Sequence, residues 1–301
     1  MQDLDQYTVT DATLAQMAQT PNPRLREIMD AAVRHLHAFA REVSLTPAEW
    51  LAGMKFLTAV GHACTPFRQE FILLSDVLGL SSLVNAMHDA RAGEDGTQTS
   101  LLGPFYREAA PSHALGESIA GLSSGEEMVL FGNVLDAAGR GVPHASVQVW
   151  QTNAEGLYDL QLHEPEQMDM RGCFACDGSG AYHFRTIRPR GYMIPMDGPV
   201  GGLVQAQRRH GYRPAHIHFL IGAPGHRELV TALYLADDAH IDSDTVFGVS
   251  QALVVRPSLD LAGSPRPDLA SIRYDFRLSR TADGGSGRVG ADPSKILEPA
   301  P

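Results

Sequence analysis

Apolar positions in the first hundred residues recur at helical spacing. Leu25, Ile28, Met29, Ala32, Val33, Leu36, Phe39, Ala40 and Val43 fall on one stripe, since a 3.6-residue turn returns every third or fourth side chain to the same face. Such a stripe packs against the chain's own core or against a partner. Thr46-Pro47-Ala48-Glu49 combines a capping hydroxyl, a proline and an acid three residues on, which predicts a second helix through about Val60. A third apolar stretch runs from Phe71 to Met87.

The period changes near Gly103-Pro104. From there short β-branched runs alternate with Gly, Pro, Asn and Asp, and predict strands over Met128–Leu135, Ser146–Thr152, Ala181–Ile187, Ala215–Ile221, Leu229–Leu235, Ala252–Val255 and Ile272–Leu278. Asp136-Ala137-Ala138-Gly139 and Asp177-Gly178-Ser179-Gly180 supply turn chemistry between them. Many strands at short spacing without intervening helices predict an antiparallel sandwich or barrel. The fold class expected is therefore α+β: a helical domain over 1–103, an antiparallel β-sandwich over 104–280, and a loose tail rich in Gly, Ser and Pro over 281–301.

Composition narrows the function. Across 301 residues, 24 basic against 35 acidic side chains leave a net charge of −11, which repels nucleic-acid phosphates and anionic lipid. No apolar run is long enough to span a bilayer. The acidic start Met1-Gln2-Asp3-Leu4-Asp5 lacks a signal-peptide layout, and three cysteines (Cys64, Cys173, Cys176) make no disulfide framework. A reducing cytoplasm is the expected compartment.

Arg213-Pro214-Ala215-His216-Ile217-His218-Phe219 carries the most chemistry. On a strand, side chains two apart leave the same face, so His216 and His218 converge while Ile217 and Phe219 point the other way. The pair can bracket a metal ion, or it can be two satisfied core histidines; alone it names neither metal nor reaction. No carboxylate follows until Glu228, which weakens a carboxylate-completed oxygenase site. Cys173-x-x-Cys176 has no second pair to complete a zinc site and reads as local packing. Tyr158 and Tyr192 sit at strand margins, where a half-buried rim role is the common one. A phenol with a pKa near 10 becomes a ligand at neutral pH only beside a strong Lewis acid, and ferric iron meets that need better than ferrous iron or zinc.

Taken together, Trp150–Tyr158, Arg185-Thr186-Ile187 with Gly191-Tyr192, and Arg213–His218 resemble the intradiol ring-cleavage dioxygenases, over nearly the whole chain as far as Ser279. The resemblance implies an Fe(III) site of Tyr158, Tyr192, His216 and His218, acting on an aromatic diol or triol with O2. It implies that Tyr192 is the phenolate that leaves as substrate binds, and that Arg213 stabilises negative charge on the activated ring. On an extended strand Arg213 would face away from the histidines unless the chain bends at Pro214. The resemblance also implies a homodimer through the N-terminal helices, and the apolar groove there is a candidate lipid site.

Leu102-Gly103-Pro104-Phe105-Tyr106 and Asp242–Val249 are most similar to the hydroxyquinol-cleaving subgroup, with catechol or chlorocatechol cleavage as the alternative. By position, Leu73, Asp76, Leu102, Pro104, Phe105, Ile194, Pro195 and Val246 would line the aromatic pocket. Asp76 is the polar member, able to accept a hydrogen bond from a third hydroxyl or else to be a solvated helix position. Where catechol-cleaving relatives place Gln, this chain has Ala232. A reading of another class also exists: Gly132–Trp150 resembles transthyretin-like binding modules, which lack the four metal ligands.

Overall fold

The computed structural model describes residues 4–281, apart from 66–67, 93–95, 163 and 165. The expected tail over 281–301 lies almost entirely outside the described residues. Contacts divide the chain into two compact units, one running to Thr58 and the other from Ala59 onward.

The first unit holds α1 (Val9–Met17), α2 (Pro23–Glu42) and the start of α3 (Pro47–Ala63). Asn22 caps α2 by accepting from the amides of Arg24 and Leu25, with Pro23 at the first helical position. At α3 the Thr46 hydroxyl accepts from the Glu49 amide while the Glu49 carboxylate accepts from Thr46, the capping box expected from the sequence. Within this unit α2 buries none of its described residues. Leu36 is 64% and Phe39 53% exposed, so the apolar stripe is not covered within its own unit.

The second unit opens with α4 (Glu70–Val77) and α5 (Leu80–Ala92), which meet at 73°. The single apolar stretch expected from Phe71 to Met87 is thus two helices. Gly79 stands between them at φ +73°, a left-handed conformation that glycine adopts without a Cβ penalty. Strands follow: β1 (Glu127–Asp136), β2 (Ser146–Gln151), β3 (Arg171–Ala175), β4 (Ala181–Ile187), β5 (Tyr192–Met193), β6 (Tyr212–Arg213), β7 (His216–Gly222), β8 (Leu229–Leu235), β9 (Val254–Val255), β10 (Ala270–Arg273) and β11 (Phe276–Leu278). A short helix, α6 (Pro199–Ala206), separates β5 from β6 and was not expected, because Gly201-Gly202 and the β-branched Val200 are weak helix formers that outweigh the proline at its start.

One sheet runs β3-β2-β7-β8-β9; the other gathers β4, β10 and β11 around β1. The pairings of β1 with β10 and β11, and of β8 with β9, are parallel, so the sandwich is mixed where an antiparallel one was expected. The two sheets share one core. Phe219 of β7 lies 4.8 Å from Phe276 of β11 and 6.3 Å from Phe184 of β4, ring centre to ring centre. β7 is central and buried along almost its whole length, so it has two buried faces: Ile217, Phe219 and Ile221 enter the shared core, while His216 and His218 leave on the other side.

Candidate metal centre

His216 and His218 owe their common face to strand alternation, and their neighbours to register. Trp150 of β2 lies opposite His218 and stacks on its ring at 4.9 Å, within 6° of parallel. On the other flank Ala232 of β8 faces His218 and Tyr234 faces His216. The site with Ala in place of Gln is therefore directly beside a histidine, in the cross-strand position. Gly103 lies against His218 at φ +73°; a Cβ there would sit 3.5 Å from the His218 ring.

The phenols arrive from loops. Asn153 accepts from the amides of Glu155 and Leu157, and Gly156 turns at φ +83° against the Gly191 carbonyl, which aims Tyr158 inward. Tyr192 comes from the two-residue ribbon β5–β6, where it pairs directly with Arg213. The bend at Pro214 does occur: β6 ends at Arg213, β7 begins at His216, and Arg213 Nη1 lies 3.3 Å from His216 Nε2. Arg213 is in turn held by Asp244 through both Nε and Nη2, at 3.2 and 3.3 Å, and reaches the Tyr234 hydroxyl at 3.4 Å. Tyr234 carries no marker in the sequence, and Asp244 and Trp150 stand there only as members of longer segments. The first and last are visible only once strand register places them beside the histidines.

Distances give the test for a metal. His216 Nε2 lies 3.1 Å from His218 Nε2 and 3.4 Å from the Tyr158 hydroxyl. Donors bound about 2.0–2.1 Å from a common ion are separated by about 2.8–3.5 Å in octahedral, tetrahedral or trigonal geometry, so these separations fit one ion. The His216 Nδ1–H donates to the Pro214 carbonyl at 2.6 Å, which leaves Nε2 with its lone pair facing the cluster. Burial, reinforced by Arg213, holds both imidazoles well below their usual pKa, so they are neutral and able to ligate. Burial pushes the Tyr158 and Tyr192 phenols above theirs, Tyr158 strongly so, and the two rings meet edge-on at 5.5 Å. Only a strongly charged cation would ionise such phenols. Among the described residues no group of three or more His, Cys, Asp and Glu side chains is placed to hold a metal; the oxygen that stands 3.4 Å from His216 Nε2 is the Tyr158 phenol. Cys173 and Cys176 stay out of it, the first beside Ser146 and the second in the core.

A cavity of about 300 Å³ opens beside the cluster. Leu73, Pro104, Phe105 and Pro195 line it, together with Arg68, Glu70, Gln161 and Asp197. Phe105 stacks on Tyr158 at 4.3 Å and thus joins the cavity wall to the cluster. Asp76, Ile194 and Val246 are buried but are not on that wall, and Leu102 is half-buried. Asp76 sits instead where it feels the charges of Arg213 and Asp244.

Residues 101–280 match the family model described as Dioxygenase, and residues 22–96 match the model described as Catechol dioxygenase N terminus. The chain belongs to the intradiol ring-cleavage dioxygenases. This dioxygenase is 48% identical over 281 residues to the 6-chlorohydroxyquinol 1,2-dioxygenase of Cupriavidus pinatubonensis, covering 93% of this chain and all of that one. It is 41% identical over 285 residues to the hydroxyquinol 1,2-dioxygenase of Nocardioides simplex, with 92% and 97% covered. The solved hydroxyquinol 1,2-dioxygenase of Pseudomonas putida DLL-E4 superposes with a TM-score of 0.82 at 41% identity, covering 92% of this chain and 99% of that one. Membership in the dioxygenases removes the transthyretin-like binding module as a reading of the sandwich.

Proposed function

We propose that the protein is an Fe(III)-dependent hydroxyquinol 1,2-dioxygenase. It uses O2 to open benzene-1,2,4-triol between its two adjacent hydroxylated carbons, giving 3-hydroxy-cis,cis-muconate, the enol form of maleylacetate. The observation that carries this reading is the buried convergence of Tyr158, His216 and His218, with Tyr192 and Arg213 alongside, next to a cavity walled in part by Leu73, Pro104, Phe105 and Pro195. The hydroxyquinol-cleaving relatives support the triol as substrate.

Ferric iron on Tyr158, Tyr192, His216 and His218 would supply a Lewis acid that keeps phenols ionised and draws charge from a chelated diol, making the ring the point of oxygen attack. Tyr192 would be one of the phenolate donors to that iron, and its phenolate oxygen would be the base that accepts one proton of the incoming diol. Arg213, fixed by Asp244, faces the negative charge that develops on the ring and stabilises it without having to reorganise. Leu73, Phe105 and Pro195 form apolar wall around the ring. Triol plus O2 equals the product acid atom for atom, so no outside reductant is consumed.

The exposed apolar faces of α2 and α3 support a homodimer through the N-terminal helices. The free thiols of Cys64, Cys173 and Cys176 are in keeping with the reducing cytoplasm we assign. No single helix among the described residues is long and apolar enough to cross a membrane.

Oxygen uptake with hydroxyquinol, 6-chlorohydroxyquinol, catechol and chlorocatechols tests the substrate, with a hydroxyquinol kcat/KM above that for catechol expected. Preference for catechol would remove hydroxyquinol as the defining substrate. The purified protein should carry about one ferric ion per chain and be red, and Tyr158→Phe should bleach or shift the visible band. A colourless, zinc-loaded protein that still turned over would sink the ferric assignment.

A further inference from the structure

One buried ion pair has no part in the chemistry above. Asp159 and Arg171 are each 2% exposed. Arg171 Nε donates to one Asp159 carboxylate oxygen at 2.7 Å and Nη2 donates to the other, a two-toothed grip. The same guanidinium donates from Nη1 and Nη2 to the Phe105 carbonyl, at 3.3 Å each. Arg107 reaches Asp159 from the side, at 3.1 Å.

Both ends of this grip lead to the same phenol. Asp159 follows Tyr158 directly and opens the short 3-10 turn that Tyr158 caps. Phe105 lays its ring on Tyr158 at 4.3 Å and 17°, meets Tyr192 edge-on at 6.1 Å, and lines the cavity. A buried ion pair is a poor device for stability alone, because desolvation offsets most of the attraction. What it does well is fix two chain segments in one geometry. We propose that Arg171 is a positioning residue that sets Tyr158 and Phe105 relative to one another, and so fixes the substrate slot against the metal site. The inference rests on the ferric dioxygenase reading.

Lysine retains the charge but is a point donor; it cannot grip both Asp159 oxygens and the Phe105 carbonyl at once. In full-length, iron-loaded enzyme, Arg171→Lys should move the visible phenolate band. It should also lower kcat/KM for hydroxyquinol by about ten- to a hundredfold, chiefly through KM. Arg107→Met removes a side contact to the same carboxylate but leaves Arg171 holding both Asp159 oxygens and the Phe105 carbonyl, and should keep the wild-type band and KM. If Arg171→Lys does not fold, Arg171→Met with Asp159→Leu removes both charges together, and the same band shift and raised KM are expected. Either folded variant showing wild-type band and KM, with only a lower Tm, would overturn the positioning role. Wild-type protein that binds no iron, or cleaves no ring, would instead overturn the underlying reading and this inference with it.

Discussion

Asp76 shows what a single side chain contributes. It is 3% exposed on α4, and burial raises its carboxyl pKa against the opposing pull of the Ser81 hydroxyl and Arg213. A folded-state pKa above the unfolded value means that the native state binds the proton more tightly. The associated stability is then fully present below about pH 3.9 and is lost as pH rises through the folded pKa. Asp76→Ala should therefore flatten the decline in stability above about pH 4, as read from urea unfolding at several pH values. If the carboxylate receives the third hydroxyl of the triol, the same variant should lose about one to two powers of ten in hydroxyquinol kcat/KM, with little change for catechol. An unchanged substrate ratio would detach Asp76 from specificity. Residues were legible where period or chemistry marked them, as with the two histidines on one face of β7. Arg213 was legible only in part, since strand alternation fails across Pro214 and the bend brings the guanidinium back to His216. Tyr234, Asp244 and Arg171 act through partners far away in sequence, which a one-dimensional reading cannot supply.

Among the elements, α4 and α6 are joined by charge. The Glu70 carboxylate is buried at the start of α4, accepts from the Val200 amide at the N-terminus of α6 at 3.1 Å, and pairs with Arg68 at 2.9 Å. Arg68 also spans to Asp197 with both terminal nitrogens. Arg68→Met would leave the Glu70 charge with little besides a helix terminus. It should cost about 1–3 kcal/mol, the lower end reflecting a guanidinium that is partly in solvent. Adding Glu70→Gln should recover part of the loss; a double variant no more stable than Arg68→Met alone would contradict this account. Long elements were legible because alternation or helical spacing accumulates over several residues: β4 and β8 fall on their expected bounds. The two-residue β5 and β6 carry no period, and the expected strand over Ile272–Leu278 divides into β10 and β11.

At the level of the whole molecule, the N-terminal helices carry a surface that a monomer rarely leaves in water. Met29, Leu36 and Phe39 on α2, Val43 at its C-cap, and Trp50, Leu51 and Met54 on α3 are each at least two-fifths exposed. A homodimer should therefore persist at micromolar concentration by light scattering, and Leu36→Asp with Phe39→Asp should shift it toward monomer. A wild-type monomer would refute the assignment. A sandwich was legible from strand count and spacing, whereas the parallel pairings of β1 with β10 and β11 were not, because they join strands more than a hundred residues apart. That topology has a consequence for how the protein comes into being. β1 is made early, yet the edge that β10 occupies can be filled only by residues beyond 269, after every candidate metal ligand has been synthesised. Closing so long a loop before its contacts repay the lost entropy makes folding slow. Until the last strands dock, that edge of β1 offers unpaired backbone groups to any neighbouring chain. Nascent chains of this protein would thus be most prone to aggregate in the interval before β10 and β11 dock on β1, a window in which a chaperone would matter most.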